Sequence, residues 1–149
     1  MATPLLPPDF KEFLRLLNEK KVEYLLIGGY AVGYYGYVRA TADMDVWIAS
    51  NTENASRAVV ALREFGFNVP ELSEELFLRD ETIARMGVPP FRIEMLTCIS
   101  GVSFEECYKE RVVDIIDGIE IPIISLRHLR MNKKASGRLK DLADLEHLP

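Results

Sequence analysis

The chain has 149 residues, 48% of them hydrophobic and 28% charged, and a net charge of −5. That length suits a single domain, residues 1–149, able to bury about 70% of its unfolded surface without disulfides. The acidic total excludes a general nucleic-acid coat, Cys98 and Cys107 form neither a disulfide framework nor a zinc site, and no apolar run approaches a membrane span.

The opening "MATPLLPPDF" lacks a basic region followed by an apolar run, so no signal peptide is expected. A cytoplasmic protein with no membrane partner follows. Asp9 and Glu12 have capping-box spacing before Phe10, Phe13, Leu14 and Leu17, which predicts a first helix. "VEYLLI", Val22 to Ile27, reads as a buried strand. Gly28 and Gly29 follow, with a short helix from Tyr30 to about Tyr37. "MDVWIA" is a second strand. Ser50 and Glu53 repeat the capping pattern before Ala55, Ala58, Val59, Leu62 and Phe65, and Gly66 ends that helix.

"ETIARM" and "FRIEML" read as two strands joined through "GVPP". Ser103 and Glu106 start a short helix. "RVVDIIDGIEIPII" is a hairpin turning at Asp117-Gly118. Ser125 begins a helix that Gly137 breaks, and "RLKDLADLEHL" forms the last one. The order α-β-α-β-α-β-β-α-β-β-α-α predicts an α/β or α+β fold: a mixed sheet flanked by helices, with a helical C-terminal segment over about 125–149.

Charge is uneven along this order. Six of the 18 basic residues lie between Arg127 and Lys140, with no acid among them. The rest of the chain then sets 12 basic residues against 23 acidic ones. One basic segment on an acidic body suits either a local phosphate site or a solvated helix face.

The stretch "IGGYAVGYYGYVRATADMD", Ile27 to Asp45, carries the chemistry. Gly28, Gly29 and Gly33 after a strand suggest a dinucleotide-binding turn, but their spacing is GGxxxG rather than GxGxxG. Asp43 and Asp45 begin the second strand, and they meet the glycines only if it runs back antiparallel to the first. Alternate strand residues share a face. Asp43 and Asp45 therefore project together while Met44, Val46 and Ile48 face the core. Two crowded carboxylates raise each other's pKa unless a cation neutralises them, and a hard divalent ion prefers carboxylate oxygen. Glycine lets backbone approach a phosphate, and the following helix offers free N–H groups. In "FRIEML", Glu94 alternates with Phe91, Ile93 and Met95 on the core face, so it joins the aspartates if the strands are adjacent, completing a two-metal site. Asp114 and Asp117 are its rivals.

In this order the motifs resemble a minimal nucleotidyltransferase of the DNA polymerase β superfamily. The matching residues are Ile27-Gly28-Gly29, thirteen intervening residues, Asp43-Met44-Asp45-Val46, and Glu94. The chain is most similar to nucleotidyltransferase-like proteins of the abortive-infection toxin type. The residues that match them are Arg39, Thr41, Lys134, Gly137, Arg138, Lys140, Asp141 and Asp144. It departs from the pattern at Gly29, where relatives often carry Ser, at Tyr35, where they often carry His, and at Glu94, where Asp is usual.

The resemblance implies transfer of NMP from an NTP to an acceptor hydroxyl on RNA (tRNA included), protein or a small molecule. Asp43, Asp45 and Glu94 would hold Mg²⁺ or Mn²⁺ and act in catalysis. Gly28 and Gly29 would cradle phosphate, and Arg39, Lys134, Arg138 or Lys140 would neutralise pyrophosphate. Thr41 would position the loop. Asp141 is expected to orient Arg138 and Asp144 to pair with Lys140, unless the segment is simply a salt-bridged helix. The alternative is a catalytically weak nucleotide-binding or regulatory module of a toxin–antitoxin pair, with an antitoxin partner. Tyr30, Tyr34 and Tyr37 at helical spacing suit packing better than base stacking, and Trp47, on the aspartates' face, suits either.

Overall fold

The computed structural model describes residues 6–38, 43–87 and 91–149. Helix α1 spans Pro8–Glu19 and buries Phe10, Phe13, Leu14, Leu16 and Leu17, the stripe its spacing predicts. It begins one residue before Asp9, after Pro7, with no side-chain cap. Proline's fixed φ starts the helix, and Asp9 falls in the first turn, where its charge suits the dipole. Strand β1, Tyr24–Ile27, is buried throughout, as a central strand should be. Helix α2 covers Gly28–Tyr34 and strand β2 covers Asp43–Ile48.

Helix α3, Thr52–Phe65, is capped by Asn51, whose side chain accepts from the Asn54 N–H, and ends at Gly66 with φ 104°. The expected cap Ser50 instead donates its hydroxyl to the Phe77 carbonyl at 2.7 Å. A short 3-10 turn at Glu74–Leu78, with no apolar period to announce it, buries Phe77. Strands β3 (Ile83–Met86) and β4 (Arg92–Leu96) form where expected and pair antiparallel; their "GVPP" joint runs into 88–90, outside the described residues. Phe91 precedes β4 and is 55% exposed rather than in the core.

Helix α4 (Phe104–Lys109) is capped by Ser103. Strands β5 (Val112–Ile116) and β6 (Ile119–Ile123) form the predicted hairpin. Asp117 and Gly118 both take positive φ, 53° and 81°, as a type I′ turn requires. Helices α5 (Leu126–Ser136) and α6 (Leu139–His147) are separated at Gly137, φ 65°.

The six described strands form one mixed sheet in the order β3-β4-β2-β1-β6-β5. β1 runs antiparallel to β2 and parallel to β6, and β2 runs parallel to β4. Helices α1 and α3 pack together, with Phe13 and Phe65 edge-to-face at 5.2 Å. Among the described residues no helix is long and apolar enough to cross a membrane.

Candidate functional site

The antiparallel register sets Ile27 opposite Asp45, so the chain leaves β1 into Gly28 beside that carboxylate. Gly28 has φ +67°, and a Cβ there would fall on Oδ2 of Asp45. Only glycine satisfies both conditions. The condition read from the sequence, a second strand running back along the first, is met.

The parallel register with β4 sets Asp43 opposite Arg92 and Asp45 opposite Glu94. Glu94 therefore joins the aspartates on one face. Its rivals sit elsewhere. Asp114 lies on β5, the far edge strand, and accepts from the Tyr34 hydroxyl at 2.7 Å. Asp117 is in the turn, 3.5 Å from Lys11.

The acids line a cleft of about 650 Å³. Gly28, Gly29, Asp43, Asp45, Arg85 and Glu94 are on the sheet side, and Asn132, Lys133, Ser136, Arg138 and Lys140 come from α5, α6 and their junction. The carboxyl of Asp45 is pushed up to about 6 by burial and by the charges of Glu94 and Asp43, with Lys140 and Lys133 partly offsetting them. Its Oδ1 is buried and has no hydrogen-bond partner among the described residues. That orphaned oxygen beside a second carboxylate is a donor set that fits a hard divalent cation. The third acid is engaged differently. Arg92 Nη2 lies 3.0 Å from Asp43 Oδ2 and 3.5 Å from Glu94 Oε1, and Arg85 Nε lies 3.3 Å from the same Glu94 oxygen. Among the described residues no three ligating side chains gather around one point.

The cationic wall differs from expectation at Lys134. Lys134 is exposed and does not line the cleft; Lys133 does, and it is buried. Lys133 stands one turn after Leu129 on the face α5 buries, but that α6 packs two acids against that face does not show in the sequence. Lys133 Nζ lies 3.2 Å from Asp141 Oδ1 and 3.0 Å from Asp144 Oδ2, both carboxylates fully enclosed. Asp144 thus pairs with Lys133, not with Lys140, because it faces α5 rather than outward. Asp141 does bind Arg138 one turn back, Nε to Oδ2 at 2.7 Å. Burial alone would raise Asp141; hydrogen bonds from Arg138, Ser136 and Lys133, with the lysine charge, hold it well below the usual carboxylate range. Arg85 and Arg92 also escaped the sequence reading: Arg92 shares the face of Glu94 on β4, but only the pairing of β3, β4 and β2 brings both arginines to the acids. Arg39 and Thr41 lie outside the described residues.

The aromatic residues pack. Trp47 is 1% exposed and meets Phe104 edge-on at 5.1 Å, which closes it to a base. Tyr30 packs on Phe10 and Tyr37 stacks on His147.

The fold recurs in solved structures. The chain is similar to an inferred nucleotidyltransferase from Thermotoga maritima, with a TM-score of 0.64 and 16% identity over 92% of this chain and 88% of that one. It is similar to the lincosamide antibiotic adenylyltransferase LnuA in its lincomycin-bound form, with a TM-score of 0.57 and 12% identity over 95% of each chain. It also matches the antibiotic-resistance factor ANT(2'')-Ia, with a TM-score of 0.60 and 10% identity over 93% of this chain and 79% of that one. The fold is nucleotidyltransferase-like. No protein-family model matches the chain, and no curated protein does. At these identities the likeness carries the fold; the chemistry has to come from the cleft.

Proposed function

We propose that the protein is a metal-dependent nucleotidyltransferase that moves NMP from an NTP to an acceptor hydroxyl and releases pyrophosphate. One observation carries this reading: Asp43 and Asp45 share a face between Gly28 and Glu94, across a cleft from Lys133, Arg138 and Lys140. Asp43 and Asp45 would hold Mg²⁺ or Mn²⁺. When bound, the cation supplies positive charge at the triphosphate. Gly28 and Gly29 let the backbone approach phosphate. Lys133, Arg138 and Lys140 offset charge on the departing pyrophosphate, with Arg39 and Thr41 flanking the acids in sequence. Glu94 accepts the proton of the attacking hydroxyl; the oxygen bonds to the α-phosphorus as the α–β bridge breaks.

A small-molecule acceptor is one arm, since LnuA is named for a lincosamide; RNA and protein are the others. The toxin reading keeps the same chemistry, and growth arrest on expression that Asp45→Asn abolishes would support it. The competing reading, a binding module with little turnover, draws on the arginines that engage Asp43 and Glu94. Incubation with each α-labelled NTP and Mg²⁺, with total RNA, cell protein or small-molecule extract, separates them. Label on any acceptor with wild type, and none with Asp45→Asn, supports transfer. NTP and metal binding without label in any arm supports the binding module.

A further inference from the structure

Arg85 on the cleft wall and Arg92 behind the acids are cations without a role so far, and the backbone sets where their side chains begin. Parallel pairing puts Arg92 opposite Asp43, and antiparallel pairing puts Arg85 opposite Glu94. Directly opposed residues have Cβ atoms about 5 Å apart on the same face of the sheet. The register thus starts both arginine side chains beside the acids. Arg92 Nη2 bridges Asp43 and Glu94 at 3.0 and 3.5 Å. Its Nε is buried without a hydrogen-bond partner among the described residues, so its stem is enclosed while its tip serves the acids. The Glu94 side chain is only 15% exposed.

Resting on the proposed nucleotidyltransferase reading, we infer that the site takes a single divalent cation, at Asp43 and Asp45, and that the Arg92 guanidinium stands between Asp43 and Glu94 where a second cation would otherwise sit. Charge argues the same way. Among the described residues of this cluster, three carboxylates and two guanidiniums leave one net negative charge, which one divalent cation converts to one net positive. Three carboxylates with two divalent cations and no arginine reach that same total. A second cation beside both arginines would instead leave a threefold positive cluster facing Lys133 and Lys140. Glu94 is thereby freed from metal ligation to accept a proton, with Arg85 and Arg92 holding its orientation.

The test counts Mn²⁺ bound per chain by electron paramagnetic resonance of free Mn²⁺, alone and with α,β-methylene-ATP, on the full chain. One equivalent is expected for wild type, with no dipolar Mn–Mn coupling in the bound spectrum. Arg92→Gln should admit a second equivalent, at least tenfold weaker than the first, and Arg92→Gln with Glu94→Gln should lose it again. Two equivalents or paired-manganese spectra in wild type overturn the inference, whether or not the variants fold. A folded Arg92→Gln that still takes one equivalent overturns it as well. No Mn²⁺ bound by wild type removes both this inference and the cation at Asp43 and Asp45. One equivalent without nucleotide transfer leaves this inference standing while the transferase reading fails.

Discussion

Gly28 and Asp45 occupy one space: the Cβ that any other residue would add at position 28 lands on the Asp45 carboxylate. The glycine is also left-handed, where a side chain costs about 1–2 kcal/mol. Gly28→Ala should therefore lower stability by about that amount and weaken Mn²⁺ binding by pushing the carboxylate aside. Gly33→Ala is the control. Gly33 lies in α2 with open space around its Cα, so alanine there should stabilise by ~0.5–1 kcal/mol and leave Mn²⁺ affinity unchanged. Denaturant melts and metal titrations of both variants check this, and equal effects from the two would refute it.

Asp45 is held at a raised pKa of about 6. Its ionised form is thus less favourable in the fold than in the unfolded chain, where the value is about 3.9. The cost is complete above pH 6 and disappears as pH falls from 6 to 4. Asp45→Asn, which keeps the shape, should stabilise the metal-free protein by on the order of 1–2 kcal/mol at pH 7.5. The gain should vanish near pH 4. Urea titrations at the two pH values measure it, and a gain of the same size at both would locate its origin elsewhere.

Asp141 behaves oppositely. Its pKa is depressed in the fold, so its contribution is present above the unfolded value of about 3.9 and is lost as pH falls below it. Wild type should lose stability between pH 4.5 and pH 3 more steeply than Asp141→Asn. At pH 7, Lys133→Met should cost about 3 kcal/mol, because two enclosed carboxylates lose a shared counter-charge. Lys134→Met, on the exposed face, should change stability by less than about 0.5 kcal/mol. Comparable losses from the two lysines would contradict the buried pairing.

The order of elements was legible because each carries its own period or punctuation: the stripe of α1, the Asp117-Gly118 turn, the αL glycines at 66 and 137. The juxtaposition of Gly28 with Asp45 followed once β2 was required to run back along β1. What stayed hidden depends on which chain segments end up side by side. Asn51 rather than Ser50 caps α3 because Phe77, 27 residues away, offers Ser50 a carbonyl. Lys133 rather than Lys134 lines the cleft because α6 brings two carboxylates to that face. Arg85 and Arg92 are ordinary strand residues until β3, β4 and β2 lie in register.

Helix α6 is built inside out. It encloses Asp141 and Asp144 and leaves Leu139 87% exposed, with Leu142 open as well. Most helices are held by an oily seam that can loosen gradually, but the buried side chains of α6 are carboxylates, and both reach one ammonium of α5. Such a contact tends to break as a unit, since a half-withdrawn carboxylate loses the lysine before it gains water. The amide protons of α5 and α6 should then exchange with solvent together, as one opening unit. Arg138, Lys140 and Lys133 ride on that unit, so the opening that exposes those amides also takes away the positive wall of the cleft.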